Sequence, residues 1–133
     1  MNKKLFILIS HFYDLANTTK VYLTKMLPIN EENVKLVALG GINNGTEIGT
    51  EPMQILQAIE ENPEINEIFI FSDLGSATLV NESISTMVED KLVYVAKGAF
   101  VENTFSAYVL ANVGAHLMKL KKQQKKKWLN NFN

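Results

Sequence analysis

The sequence predicts an α/β domain with a doubly wound, mainly parallel four-stranded sheet and helices on both faces. Four short, continuous apolar runs alternate with segments in which apolar residues recur at helical spacing. Runs without polar alternation are typical of parallel strands that helices cover on both faces. The 133 residues suit one domain, residues 1–133, and no internal repeat or linker indicates a second.

The first half of the chain supplies two strands and two helices. In chain order they are strand 4–9, helix 15–27, strand 34–39 and a helix from about 50 to 61. Pro28 ends the first helix because proline cannot continue it. Thr50 is a good N-cap for the second helix, and Pro52 suits its first turn. The residues expected to form the apolar inward face of the first helix are Leu15, Tyr22, Leu23, Met26 and Leu27.

The second half repeats this alternation. In chain order it contains strand 68–71, a helix from 76 or 77 to about 89, strand 92–96 and a long helix from about 102 through the C-terminal tail. The inward face of the last helix is predicted to include Phe105, Val109, Val113, Leu117 and Leu120. Right-handed crossovers make 2-1-3-4 the natural strand order, with room for an extra edge strand. Strands one and three are then neighbours.

Composition excludes several classes of function. The chain has no cysteine, which removes disulfides, thiolate catalysis and thiolate metal sites. No window reaches the ~18 apolar residues of a membrane span, and the apolar start leads into no signal-peptide cleavage site. We therefore expect a cytoplasmic protein without a membrane partner. All thirteen basic residues are lysine, so no arginine of this chain can grip a phosphate.

Charge is distributed unevenly along the chain. Residues 1–118 carry seven lysines against fourteen acidic residues, a net charge of −7, whereas the tail from about 119 carries six lysines. Such a tail could contact nucleic acid or another anionic surface. Because the body is acidic, nucleic acid is not expected as a partner, and a solvated end of the last helix is the simpler interpretation.

A histidine and an aspartate each follow a predicted strand. His11 comes directly after the first strand and Ser10, and Asp73 comes after the third strand and Ser72. The carboxyl ends of neighbouring parallel strands form the ligand crevice of such a sheet. An aspartate that orients an imidazole there suffices to accept and pass on a group through a ring nitrogen. His11 and Asp73 are therefore candidate catalytic residues, although Asp73 could simply cap the third helix.

Two predicted helix N-termini point to the same edge of the sheet. Gly49 and Thr50 precede one of them, and the Gly75-Ser76-Ala77 turn begins the other. Helix N-termini bind anions through their free N–H groups, so a phosphoryl group suits this edge, although ordinary turn chemistry would explain these residues too. His116, inside the last helix, is interpreted as structural. With only two histidines on distant elements, neither a metal nor another cofactor is expected.

Several short motifs, in this order, resemble one known family. They are Ile-Ser-His at 9–11, Gly-Gly at 40–41, Glu-Ile-Gly-Thr at 47–50, Ala-Ile-Glu at 58–60 and Asp-Leu-Gly-Ser-Ala at 73–77. Over roughly residues 4–118 the sequence resembles the phosphotransferase subunit of the phosphoenolpyruvate-dependent dihydroxyacetone kinase, within the mannose-type enzyme IIA family. Two features depart from the family pattern. Phe12 replaces the serine that usually follows the histidine, and residues 99–103 lack the family's proline and glycine.

The resemblance implies a phosphoryl relay. The phosphocarrier protein HPr would phosphorylate His11, and the group would pass to ADP held by the ADP-binding subunit of the kinase. Family members are similar in forming homodimers through their helices and edge strand. The alternatives are a mannose-type enzyme IIA domain that serves a sugar permease, and a non-catalytic binding or regulatory protein on the same fold that docks a partner through Phe12 and the altered 99–103 loop.

The resemblance also implies roles for individual residues. Asp73 would accept a hydrogen bond from the imidazole nitrogen of His11 that is not phosphorylated, which fixes the tautomer. The residues implied around the phosphoryl oxygens are Ser10, Gly49, Thr50, Gly75, Ser76 and Ala77.

Overall fold

Strand and helix alternate along the chain in the computed structural model, which describes residues 3–74, 84, 88 and 90–114. The elements are β1 (Lys4–Ser10), α1 (Tyr13–Met26), β2 (Val34–Gly40), α2 (Pro52–Glu60), β3 (Glu67–Ser72), β4 (Leu92–Val95) and α3 (Phe100–Asn112). Apart from residues 84 and 88, the predicted helix that ends near residue 89 lies outside the described residues, as do His116 and the lysine-rich tail. Within the described ranges, no helix is long and apolar enough to cross a membrane.

The four strands form one parallel sheet in the order β2-β1-β3-β4, which confirms the predicted fold class and strand order. β1 is central, and all seven of its residues are buried. Its side chains enter two separate apolar clusters. Phe6 and Leu8 pack with residues of α1 and α3 on one face, and Leu5 and Ile7 pack with residues of α2 on the other. Helices on both faces explain why the strands are continuously apolar.

The buried face of α1 differs from the predicted one. Three residues predicted to face inward are exposed, namely Leu15, Tyr22 and Met26. Leu23 is buried as predicted, and Ala16 and Thr19 are buried beside it. Ala16 is small enough for close approach to the sheet, and the Thr19 hydroxyl donates a 2.7 Å hydrogen bond to the Leu15 carbonyl oxygen. Because its polar group is satisfied within the helix, Thr19 can be buried at little cost.

The buried face of α3 also differs from the prediction. Val113 is 76% exposed, and Phe105 and Val109 are only partly buried. Thr104 and Tyr108 are fully buried, because their hydroxyls donate to the carbonyl oxygens of Phe100 and Leu27, at 2.6 Å each. α3 ends at Asn112, and Gly114 adopts a left-handed backbone with φ of +85°, which is typical of a helix end. The part of the last helix predicted beyond residue 114 lies outside the described residues.

Candidate active site

The carboxyl edge of the sheet places the two candidate catalytic residues side by side. His11 directly follows β1, Asp73 directly follows β3, and the parallel register sets Ile9 opposite Ser72. The Nδ1 atom of His11 lies 3.0 Å from Oδ1 of Asp73. Their side chains are 22% and 11% exposed. The pair is therefore shielded on most sides and still reachable from solvent.

The carboxylate of Asp73 accepts hydrogen bonds from three donors. The Ser10 hydroxyl lies 2.8 Å from Oδ2, the backbone amide of His11 lies 3.1 Å from the same oxygen, and Nδ1 of His11 faces Oδ1. Because a carboxylate can only accept, the proton of the neutral imidazole belongs on Nδ1. The ring lone pair is then on Nε2, at the opposite edge of the imidazole.

These contacts keep Asp73 ionised. Burial is the largest influence and by itself raises the pKa of the carboxyl group. The hydrogen bonds from the His11 side chain, from Ser10 and from the His11 amide, together with attraction to His11, outweigh it and hold the pKa below its ordinary value of 3.8. Asp73 is therefore a carboxylate at neutral pH and can stabilise a positive imidazole.

The loop between β2 and α2 holds the backbone of the histidine. The amide of Gly49 donates a 2.8 Å hydrogen bond to the carbonyl oxygen of His11, and the amide of Gly41 donates a 3.3 Å bond to that of Ser10. A short antiparallel bridge closes the loop on itself. The histidine is thus fixed through its backbone on one side and through its ring on the other.

Gly40 permits the close approach of β2 to this segment. Its φ is +154°, and a Cβ atom at this position would lie 2.2 Å from the carbonyl oxygen of Ser10. No larger residue fits without moving the backbone that carries the histidine. In the sequence, Gly40 and Gly41 stand directly after the second predicted strand and form one of the motifs of the family resemblance, but the close approach at Gly40 was not predicted. The available signal for their role was the pair of glycines directly after an apolar run.

Three exposed apolar side chains adjoin the contacts of the histidine. Phe12, Ile48 and Leu74 are 49%, 66% and 57% exposed. Each is next in the chain to His11 itself or to a residue that binds it, Gly49 or Asp73. We call these three residues the apolar rim. Exposed apolar side chains gathered around a polar site are typical of a protein-binding surface.

The other residues singled out from the sequence are placed as follows. Ser10 is buried, and its hydroxyl faces Asp73. Thr50 is half-buried and follows Gly49 directly, but the N-cap of α2 is Glu51, so the predicted cap at Thr50 was wrong by one residue. The Gly75-Ser76-Ala77 turn lies outside the described residues.

The fold and this site define a class of protein. Residues 5–121 match the model of the EIIA-man family, described as the PTS system fructose IIA component, and the chain belongs to that family. The PTS-dependent dihydroxyacetone kinase phosphotransferase subunit DhaM of Lactococcus lactis subsp. lactis (strain IL1403) is 33% identical over 120 residues, which cover 90% of this chain and 92% of that protein. The resemblance inferred from the sequence motifs is thereby confirmed.

Some relatives are much longer than this chain. The PEP-dependent dihydroxyacetone kinase phosphoryl donor subunit DhaM of Klebsiella michiganensis is 28% identical over 118 residues, which cover 86% of this chain and only 25% of that protein. Among solved structures, the protein of unknown function EF1359 superposes with a TM-score of 0.81 at 27% identity, with 93% of this chain and 94% of that chain covered. The phosphotransferase system component EIIA from Streptococcus agalactiae has a TM-score of 0.68 at 16% identity, with 98% and 95% covered, and shows the shared fold.

Proposed function

We propose that the protein is a phosphohistidine carrier in which His11 accepts a phosphoryl group from HPr and passes it to ADP on the ADP-binding subunit of a dihydroxyacetone kinase. The 3.0 Å contact between His11 Nδ1 and Asp73 Oδ1 carries the proposal, because it leaves the nucleophilic lone pair on Nε2. The name of the relative from Lactococcus lactis, a phosphotransferase subunit of such a kinase, supports this reaction.

In the first transfer, Nε2 of neutral His11 attacks the phosphorus of the phosphohistidine on HPr. A new bond forms between phosphorus and Nε2, and the bond to the donor nitrogen breaks, so the donor imidazole leaves with its electron pair. The ring of His11 gains positive charge while its proton stays on Nδ1. Asp73, 3.0 Å from that nitrogen, stabilises the charge, and no proton has to move during the step.

In the second transfer, an oxygen of the terminal phosphate of ADP attacks the same phosphorus. The bond between phosphorus and Nε2 breaks, ATP forms, and the electron pair returns to the ring nitrogen. The neutral imidazole is restored with its proton still facing Asp73. One arrangement of His11 and Asp73 therefore serves both transfers.

The surroundings of His11 suit an anion. α1 begins two residues after His11, and α2 begins three residues after Gly49, whose amide binds the His11 carbonyl oxygen. The N-termini of helices carry partial positive charge and favour anions. The amide of Gly49 already donates to the His11 carbonyl oxygen. We therefore propose that Gly49 lets the backbone approach the phosphoryl group closely, and that the Thr50 hydroxyl contacts a phosphoryl oxygen. We include the Gly75-Ser76-Ala77 turn in the proposed phosphoryl site because of its sequence motif alone.

The apolar rim supports HPr as the donor. The segments that carry the rim, residues 10–14, 41–51 and 72–74, contain four acidic residues and no lysine. HPr is expected to present an apolar surface with a basic rim, which complements this arrangement. Charge of opposite sign chiefly raises the rate of association between two proteins.

A homodimer and a cytoplasmic location belong to the same proposal. The exposed residues Leu15, Tyr22 and Met26 form an apolar stripe on α1 that a second copy could cover. HPr and the kinase subunits are the expected partners, whereas nucleic acid and membrane are not.

The description of the family model favours a second candidate. Because that model is described as the PTS system fructose IIA component, the acceptor could be the next phosphorylated domain of a sugar permease. The chemistry at His11 would be the same, and only the acceptor would differ.

The proposal is tested by following a labelled phosphoryl group from phosphoenolpyruvate to its final acceptor. The protein is incubated with labelled phosphoenolpyruvate, enzyme I and HPr, and then chased with ADP and the ADP-binding subunit or with a permease IIB domain. We expect an acid-labile label that passes to ATP. Transfer only to the permease domain would favour the second candidate, and no labelling at all would refute both and leave a binding or regulatory role.

A further inference from the structure

The hydroxyl of Ser10 joins three parts of the candidate site. Ser10 is the last residue of β1 and is completely buried. Its Oγ donates a 2.8 Å hydrogen bond to Oδ2 of Asp73 and accepts a 3.0 Å bond from the amide of Phe12, the N-cap residue of α1. One oxygen atom therefore links the end of β1, the residue after β3 and the start of α1.

The number of protons on this hydroxyl limits what Ser10 can do. A serine hydroxyl carries a single proton. That proton is directed to Asp73, because the ionised carboxylate can only accept. The amide of Phe12 occupies a lone pair. A bond from Ser10 to a phosphoryl oxygen would require the hydroxyl to leave Asp73 first, and the burial of the side chain opposes such a contact.

We propose that Ser10 is a positioning residue for phosphoryl transfer, which holds Asp73 so that Asp73 keeps the proton of His11 on Nδ1. This inference rests on the proposed function, since it concerns the same transfer through Nε2. It gives Ser10 a role different from the direct phosphoryl contact that the family resemblance implies.

The contacts of the carboxylate explain why this support matters. Oδ2 of Asp73 is held by the Ser10 hydroxyl and the His11 amide, while Oδ1 faces the imidazole. Without the hydroxyl, Oδ2 keeps one of these two donors, and the carboxylate is freer to rotate away from Nδ1. The amide of Phe12 also loses its acceptor, which loosens the turn that carries the histidine.

The test compares Ser10→Ala with Thr19→Val, a control that removes another buried hydroxyl, one bonded within α1. In the free protein, nitrogen NMR reports the tautomer of His11 and carbon NMR reports the titration of Asp73. We expect the parent and Thr19→Val to keep the proton on Nδ1. In Ser10→Ala we expect a mixture of tautomers, a raised pKa of Asp73, and phosphorylation by HPr about 10- to 100-fold slower, by analogy with the residues that support metal-binding histidines through a second group.

The outcomes separate this inference from the proposed function. An unchanged tautomer and an unchanged titration of Asp73 in Ser10→Ala would overturn the inference, and slow transfer in that case would favour direct contact with the phosphoryl group. Equal changes in Thr19→Val would also overturn it, because they would indicate a general structural effect. If the parent accepts no phosphoryl group, the proposed function fails, and the two NMR measurements still decide the role of Ser10.

Discussion

The backbone amide of Gly49 donates to the backbone carbonyl oxygen of His11 across 2.8 Å, although the two residues belong to different crossover connections of the sheet. The bond ties the segment before α2 to the residue after β1. Since Asp73 holds the ring from a third segment, His11 is fixed by contacts that depend on the neighbouring positions of β1, β2 and β3. The arrangement of the site is therefore a property of the fold rather than of one motif.

Replacement of His11 by alanine should abolish labelling by HPr. The reason is that the lone pair on Nε2 is the nucleophile of the proposed transfer, and alanine offers none. The measurement is the acid-labile phosphate on the protein after incubation with phosphoenolpyruvate, enzyme I and HPr. His116→Ala is the matched control and should be labelled like the parent. Label that persists in His11→Ala would rule out this residue as the carrier.

Replacement of Asp73 by asparagine should slow phosphorylation strongly. The amide keeps the size of the side chain but removes the charge and one acceptor from a carboxylate with three donors. The rate should fall by up to about 10⁴-fold, the scale for an orienting aspartate in a catalytic triad. A donor left without an acceptor should cost about 1–3 kcal/mol in the free energy of unfolding. Rapid-quench labelling and denaturant unfolding measure the two effects, and a parental rate would reduce Asp73 to a turn residue.

Asp73 should also make the stability depend on pH. Its pKa in the folded protein lies below the ordinary 3.8 of the unfolded chain, so its contribution is fully present above pH 3.8 and is lost as the pH falls through the folded value. We expect the difference in unfolding free energy between the parent and Asp73→Asn to be constant near neutral pH and to shrink below pH 3.8. Denaturant titrations from pH 6 downward check this, and a difference that grows on acidification would contradict it.

Replacement of Gly40 by alanine should damage both stability and transfer. The new Cβ would lie 2.2 Å from the Ser10 carbonyl oxygen, so the backbone before His11 must shift. Strain of this kind costs about 1–3 kcal/mol in the unfolding free energy, and the rate of phosphorylation should fall as well. The control is Gly45→Ala, where φ is +81° but no atom lies within 4 Å of the added Cβ. Equal rates in the two variants would show that the close approach of β2 is unimportant for transfer.

Deletion of residues 121–133 should leave phosphorylation by HPr unimpaired or slightly faster. The deletion removes five lysines from a protein whose first 118 residues carry a net charge of −7, so it removes like charge from the encounter with a basic surface. Raising the salt concentration should slow the reaction, because exposed charges are screened beyond ~8 Å at physiological ionic strength. A truncated protein that folds and cannot be phosphorylated would show that the tail contributes to the site or to a dimer.

The order of the strands could be predicted from the sequence, and with it the meeting of His11 and Asp73. Both depend on the spacing of apolar residues and on the alternation of strands and helices, which can be read directly from the sequence. The inward faces of α1 and α3 could not be predicted, because burial of Thr19 and Thr104 depends on hydrogen bonds to their own helix. The spacing of apolar residues placed Tyr22 and Val113 on the inward faces, but both are exposed in the structure.

The finer geometry of the site could not be predicted from the sequence either. Ser10 and His11 were singled out by their position after a strand. The sequence does not show that the Ser10 hydroxyl donates to Asp73 and accepts from the amide of Phe12, because these contacts depend on the tertiary structure. The need for glycine at position 40 could not be predicted, since the carbonyl oxygen of Ser10, which would lie 2.2 Å from a Cβ atom at this position, belongs to another strand. Local patterns predict which residues reach the edge of the sheet, and packing decides how they touch.

The complete burial of β1 gives His11 a rigid support for the proposed phosphoryl transfer. Backbone amides in a central strand with a partner on each side exchange with solvent only through the largest unfolding events. His11 lies one residue beyond that most protected segment. In the proposed function, the phosphoryl group would therefore arrive and leave directly beside the slowest-exchanging part of the chain, and β1 would give His11 a rigid support when a partner docks.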